Sequence, residues 1–439
     1  MLSLLFNLVI AVGILLLGVF STARTSFGRK PANPGPFWFH VFLETPVFIL
    51  PVVVVAPLVK DVWIFDDIPD GTYQLGIWSV CYGLVAYFMT VYAVDKTVTA
   101  VCGRFRSERC NASQTQVLMM ILACCQVAAL TALVMLVQRL PIFSVTSDDE
   151  LGVARKTATI DFKGPSVLLS MISLYGLLGF LLVAVARKAD RSRVLRWTVL
   201  SLSVACLAWS GERAPLVIGI LSYWFVRWWH DGVRISLWRL AKIGVVAGAV
   251  AAGFYSLTTG AEGVAVAELF FVRTFLGQIQ GLFQTLAVFT PDPKYFLGWI
   301  PFVGFFGDRP VFSRDLMIMI GGDSDTAGLM NSIFLGEAFG AGGWPMLLMS
   351  PFVVGTSVIV SLHLLRYFAS RFGGREFGTC SVFLFLINAS LTSGMAVFAA
   401  FRGLIFTGFI VSTILVPYVV LLGAGSRARD HRAPGVYPS

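Results

Sequence analysis

The sequence predicts an all-α, polytopic membrane protein, and the prediction rests on composition and on the recurrence of bilayer-length apolar runs. Of its 439 residues, 57% are hydrophobic and 13% charged, with a mean hydropathy of +0.80; an ordinary soluble domain is roughly 25% charged. Runs close to the ~20 residues that cross a bilayer as a helix recur at Leu2–Phe20, Phe37–Val59, Leu75–Val94, Val117–Val137, Val167–Val185, Ile243–Leu257, Trp344–Leu365, Phe377–Phe398 and Leu404–Leu422. Such spacing leaves little room for a soluble catalytic domain, so residues 1–439 read as one integral membrane domain. The longest polar interruption, residues 258–343, reads as an insert within it.

The first run has no Lys or Arg ahead of it, which a cleavable signal peptide would supply, and it reads as a signal-anchor span. The seven cysteines fall within spans, at a span edge or in one basic loop, with no disulfide framework and no zinc spacing.

Basic residues orient the spans, because short cytoplasmic loops carry the excess Lys and Arg. Arg24, Arg29 and Lys30 follow the first run, Lys96, Arg104, Arg106 and Arg109 the third, and Arg187, Lys188, Arg191, Arg193 and Arg196 the fifth. Further clusters are Arg227, Arg234, Arg239 and Lys242, then Arg366, Arg371 and Arg375, then Arg427, Arg429 and Arg432. Intervening loops are acidic, with Asp61, Asp66, Asp67 and Asp70 in one and Asp148, Asp149 and Glu150 in another. The alternation closes with about eleven transmembrane helices, an outside N-terminus and a cytoplasmic C-terminus. It requires Trp197–Val226, which contains Gly211-Glu212-Arg213-Ala214-Pro215, to be a crossing pair or a re-entrant hairpin. That stretch is too short for two full crossings at ~1.5 Å of rise per residue, so its turn is expected below the outer surface. Glu212 and Arg213 then need a polar hole, since a charge facing lipid costs about 2.5 kcal/mol or more. The alternative is a Glu–Arg pair that merely clips two short helices together.

Other outward arginines are Arg402, between the last two spans, and Arg273, Arg309 and Arg314 in the insert. Guanidinium binds phosphate oxygens through a planar fork, so the group reads as an anion site at the membrane surface, with a pyrophosphate-linked lipid as the best fit. For any single arginine, snorkelling or helix capping is an equally good account. Within the insert, Val264–Phe289 reads as an interfacial helix with Arg273, Gln280 and Gln284 on one face. Pro291-Asp292-Pro293 breaks it, Gly298–Pro310 is an aromatic, glycine-rich loop, and a second short helix starts at Asp325 as N-cap and carries Glu337 near its end. Gly340, Gly342 and Gly343 then turn the chain into the next span.

Three segments carry a family resemblance: Ser210-Gly211-Glu212-Arg213-Ala214-Pro215, Arg273-Thr274-Phe275-Leu276-Gly277-Gln278, and Asn331-Ser332-Ile333-Phe334-Leu335-Gly336-Glu337-Ala338-Phe339-Gly340. The chain resembles the bacterial O-antigen (Wzy-type) polymerases over Ser210–Met349 and in its hydropathy profile. The resemblance implies a GT-C-like membrane glycosyltransferase at the periplasmic face of the inner membrane. Such an enzyme moves a growing glycan from undecaprenyl pyrophosphate onto a new lipid-linked repeat unit. Lipid-linked glycans and membrane lipid are the expected partners, with a chain-length regulator as a further candidate.

The chemistry asks for cationic stabilisation of departing pyrophosphate and for a base on the attacking hydroxyl. Arg213, Arg273, Arg402, Arg309 and Arg314 are candidates for the first, with Gln280 and Asn331 as glycan-binding candidates. No cofactor is expected and no metal ligand set stands out; Asp323 and Asp325 are the nearest approach to one. His40, His230, His363 and His431 all fall away from the outer face, so the base is sought among Glu337, Glu212, Asp323 and Asp308. The related O-antigen ligases use an outward histidine, and its absence favours polymerase over ligase. A lipid-linked oligosaccharide flippase or a transporter is the reading from another class, although neither an internal repeat nor midplane ionisable groups are evident. A non-catalytic membrane scaffold ranks below it. The net charge of +9 is accounted for by the positive-inside loops, which leaves no case for nucleic-acid binding.

The topology makes a direct prediction. A reporter fused after Arg191 is expected in the cytoplasm and one fused after Pro310 outside; finding both on one side refutes the orientation.

Overall fold

The computed structural model describes residues 2–27, 36–59, 68–102, 112–137, 167–186, 193–210, 213–232, 242, 245, 249, 272, 276–301, 303, 310–321, 330 and 332–430. Every regular element among them is helical. The order is α1 (Leu2–Ala23), α2 (a π-helical His40–Ile49 running into an α-helical Leu50–Val59), α3 (Asp70–Cys102), α4 (Ala112–Leu136), α5 (Val167–Ala186), α6 (Arg193–Ala208) and α7 (Arg213–Asp231). Then come three short helices, α8 (Gln280–Val288), α9 (Tyr295–Trp299) and α10 (Phe312–Met319), the long α11 (Ile333–Asn388), the single turn α12 (Met395–Phe398), and α13 (Arg402–Asp430).

Among the described residues, five helices are long and apolar enough to cross a membrane: Leu4–Ala23, Asp70–Val101, Ser113–Leu136, Ile333–Asn388 and Met395–Leu421. Shorter apolar helices occur at Glu44–Val54 and Met171–Ala186. Large apolar side chains face outward on the peripheral helices, Leu5, Phe6, Val9 and Leu16 on α1 and Met120, Val127 and Val134 on α4. Hydrocarbon surroundings favour this arrangement.

Two differences from the sequence expectation concern interrupted spans. The run Phe377–Phe398 does not continue as one helix: it ends at Asn388, and residues 389–401 are irregular apart from α12 and a 3-10 turn at Ala399–Phe401. The second helix of the insert starts at Ile333 and not at Asp325, which lies outside the described residues. The run Ile243–Leu257 lies almost wholly outside them too. The pair α6 and α7, of 16 and 19 residues, gives rises of about 24 and 28 Å, and the expected turn at Gly211 and Glu212 between them lies outside the described residues.

α11 is three arms joined at glycines. Gly343 has φ +66° and Gly374 φ +75°, left-handed values that cost glycine no Cβ clash. The short arm from Ile333 to Ala341 folds back beside the long arm that begins at Trp344. Its tip packs on α3, where a Cβ on Gly83 would press into Leu335, and its side packs on α8, where a Cβ on Gly336 would lie 3.2 Å from the Leu282 backbone. α8 is not a surface helix. Leu282, Phe283, Gln284 and Thr285 are buried, and the Phe283 ring lies 5.2 Å from that of Tyr73 on α3.

The contacts define two ends of the bundle. Ser26, Asp95 and His363 meet at one end, and Trp229, Arg366 and Arg375 line a common cleft there. That basic end therefore gathers chain from after α1, late α3, late α7 and the Gly374 turn. The far end holds the start of α3, α8 to α10, and the Gly343 turn, tied together by an Asp292 N–H bond to Gly340 O (2.8 Å).

Gly340 faces the Phe312 ring so closely that a Cβ would collide with it. Gly340→Ala is expected to destabilise the protein by about 1–3 kcal/mol, read as a lower thermal midpoint in detergent, and Phe312→Ala in the same chain should relieve the clash. A single substitution with unchanged midpoint contradicts the packing.

Candidate functional site

The candidate site is the interruption at residues 389–401 with the elements pressed on it. Helical spans satisfy their own backbone, whereas an interruption in apolar surroundings must find partners for each N–H and C=O. Two carboxylates supply acceptors here. Glu44 Oε2 accepts the Leu391 N–H at 3.0 Å, and Glu337 Oε2 accepts the Ala396 N–H at 3.3 Å, in the first turn of α12. Ser357 Oγ donates to Phe398 O at 2.8 Å. Gly394 is required beside Glu337, because a Cβ there would strike the carboxylate.

Glu44 reaches this position because α2 is wound as a π-helix. Pro46 inside it lacks an N–H, and the Leu50 N–H bonds Thr45 O in the wider register. The same winding sets His40 beside Glu44, Nε2 to Oε2 3.5 Å. His40 Nδ1 lies 3.0 Å from the Tyr87 hydroxyl, and its Nε2 lies 3.4 Å from Leu386 O, in the last turn of α11. Both side chains are buried, His40 at 0% and Glu44 at 2% exposure.

Backbone strain concentrates at the same place. Among the described residues three non-glycines have left-handed φ: Ile333 at 44°, Ala400 at 51° and Phe401 at 54°. Each costs on the order of 1–2 kcal/mol, and a β-branched residue such as Ile333 is the least suited to it. Ile333 stands at the tip of the arm that carries Glu337; Ala400 and Phe401 immediately precede Arg402. Phe334 of that arm also meets Phe398, ring centroids 6.3 Å apart.

The structure thus brings some of the expected residues together and not others. Glu337 is half-buried against α12, and Arg402 opens α13 six residues on, its guanidinium 5.1 Å from the Phe406 ring. Gln280 and Gln284 lie on α8, packed on the arm of Glu337, with Gln284 buried at 5% exposure. Arg314 is exposed on α10, away from the interruption. Its neighbour Asp315 accepts a 2.7 Å bond from the Tyr295 hydroxyl, and burial, followed by that bond, holds the Tyr295 phenol above its ordinary pKa. Arg213 opens α7. Glu212, Arg273, Asp308, Arg309, Asp323, Asp325 and Asn331 lie outside the described residues.

Glu44, His40, Tyr87 and Ser357 were missed as a group. One signal was available, a carboxylate inside the apolar run Phe37–Val59, where an ionisable residue is by default functional. At the basic end, Asp95 Oδ2 accepts the Ser26 N–H at 2.9 Å and Asp95 Oδ1 lies 2.9 Å from His363 Nε2. The Ser26 hydroxyl donates to Oδ1 and lies 3.5 Å from the same His363 Nε2. Serine and carboxylate share one ring nitrogen, so this is not the relay of a nucleophilic triad, which uses both. A scan against family models, a search of curated proteins and a search of solved structures each find no match.

The strain can be tested apart from function. Ala400→Gly removes the left-handed penalty and is expected to stabilise the fold by roughly 1 kcal/mol, seen as a raised thermal midpoint in one detergent. An unchanged or lowered midpoint means the backbone at 400 is not strained.

Proposed function

We propose that this chain is a membrane glycosyltransferase that polymerises undecaprenyl-pyrophosphate-linked oligosaccharide repeat units at the periplasmic face of the bacterial inner membrane. The reading includes about eleven spans, a GT-C-like plan and an active site facing the periplasm. One observation carries it: the three left-handed non-glycine residues frame Glu337 and Arg402 at one interrupted, apolar end. Strain of this kind is held where a site needs a fixed geometry.

In the proposed reaction the acceptor hydroxyl oxygen attacks the anomeric carbon of the donor glycan. The carbon–oxygen bond to pyrophosphate breaks, the bonding pair leaves with the pyrophosphate, and the hydroxyl proton passes to a carboxylate. Arg402, with Arg213 and Arg273, takes up the charge on the leaving group through bidentate bonds. Glu337 is the favoured base; it keeps one oxygen on Ala396, which orients the other. Glu212, Asp323 and Asp308 are the alternatives. Gln280 and Asn331 are the proposed glycan contacts, and Arg309 and Arg314 the remaining candidates for the anion. No metal or other cofactor enters the proposal, and a chain-length regulator is the expected protein partner.

A transporter or flippase of lipid-linked glycan is the second reading, favoured by the buried His40–Glu44–Tyr87 group at the end of a broken helix. Broken helices with ionisable side chains are how transporters bind and gate. An O-antigen ligase-like transferase is the variant within the enzyme class.

Detergent solution separates the readings, since it has no two sides to transport between. Purified protein given lipid-linked repeat units is expected to yield polymer; intact protein that yields none refutes the polymerase. Glu337→Gln should slow single-turnover extension about 10²–10⁴-fold without weakening donor binding. Arg402→Ala should weaken extension with Lys rescuing poorly, and near-wild-type rates in both variants remove these residues from the chemistry.

A further inference from the structure

The basic end holds a cleft that the polymerase reading does not use. Its walls are Ser26 and Phe27 after α1, Trp229 late in α7, and Arg366, Ser370 and Arg375 on either side of the Gly374 turn. Arg366 is anchored, its Nη1 bonding Ser26 O at 3.4 Å and its guanidinium 5.5 Å from the Phe27 ring. Ser370 is buried at 5% exposure and seated so close to Gly378 that a Cβ there would collide with its hydroxyl oxygen. Of the described carboxylates at this end, Asp95, Asp231 and Glu376 do not line the cleft; Asp95 is turned to Ser26 and His363, and Asp231 to Arg227 and His230. Two guanidinium groups and small hydroxyls therefore share an opening with no acid among the described residues of its wall, which is a setting for an oxyanion.

The outer surface of the same stretch of α11 sets the depth. Tyr367, Phe368 and Phe372 are exposed there at 39%, 54% and 48%, apolar and aromatic side chains flanking Arg366 and Arg371 as at a membrane interface. We infer that the cleft is a binding site for the headgroup phosphate of an anionic phospholipid, held between Arg366 and Arg375. Basic pockets between membrane helices serve lipid headgroups in this way. Trp229 and Val382 form the apolar wall along which the glycerol end of the lipid lies.

The test is native mass spectrometry of the full-length chain in detergent, supplied in separate arms with phosphatidylglycerol, phosphatidylcholine and glycerol phosphate. Wild type is expected to retain phosphatidylglycerol in preference to phosphatidylcholine. R366Q/R375Q should lose at least tenfold of that retention, while R371Q, which removes a nearby exposed charge outside the cleft, should keep it. If R366Q/R375Q does not purify as a monodisperse species, R366K/R375K is read instead, and it should lose several-fold because Lys lacks the fork. Retention unchanged in the cleft variants, or lost equally in R371Q, overturns the site. Displacement of the lipid by millimolar glycerol phosphate overturns the lipid as occupant and assigns the cleft to a soluble phosphate.

Discussion

The constraint on which the far end depends is that a helix broken in apolar surroundings must have its backbone satisfied from elsewhere. An unpaired buried N–H costs about 1–3 kcal/mol, and residues 389–401 expose several at once. Glu44 and Glu337 come from opposite ends of the sequence to cover two of them, and Ser357 covers a carbonyl. Much of the unusual geometry follows from delivering those three side chains. The π-helical register of α2 turns Glu44 and His40 to the same place, and the fold-back at Gly343 puts the arm bearing Glu337 beside the arm bearing Ser357.

This delivery is costly in two ways. A carboxylate at 2% exposure gives up its hydration, which hydrogen bonds from Leu391 N–H and Ser390 offset in part. Left-handed Ile333, Ala400 and Phe401 add on the order of 1–2 kcal/mol each. A continuous helix through Phe398 would avoid both costs, and the apolar run Phe377–Phe398 is long enough to supply one. A structural clip alone gives no reason to forgo it. Under the proposed function the reason is a site that holds a carboxylate in place, since rigid placement of groups is what such strain can secure.

How much of this was legible divides along physical lines. Helical class and most helix bounds follow from apolar length: the run Val167–Val185 became α5 almost residue for residue, and the turn at Gly340 to Gly343 was readable because only glycine tolerates φ +66°. The break at Asn388 had a local signal that the length of the apolar run hid: Asn388, Ser390, Thr392, Ser393 and Gly394 form a loop-type cluster inside it. Glu337 and Arg402 could be singled out as charges in greasy sequence. The bond from Leu391 to Glu44 spans 347 residues of chain and has no local signature. The insert's α8 was legible as a helix with its glutamines turned to the protein, and the structure buries Gln284 accordingly; that Leu282 and Phe283 are buried as well follows from packing on α3 and α11, which has no local signature.

The two ends of the bundle solve opposite electrostatic problems. At the basic end Asp95 accepts hydrogen bonds from the Ser26 hydroxyl and N–H and lies 2.9 Å from His363 Nε2, while Arg366 and Arg375 line the neighbouring cleft. At the far end carboxylates accept backbone N–H groups, Glu44 from Leu391 and Glu337 from Ala396. A carboxylate tied through one oxygen to a helix N–H is held in orientation by that bond. Glu44, in contact with His40, Leu391 and Ser390, is enclosed on every side that the described residues form. Position thus separates two chemically identical groups, the enclosed one bonded to Leu391 within the interruption and the half-buried one bonded to Ala396 at the start of α12.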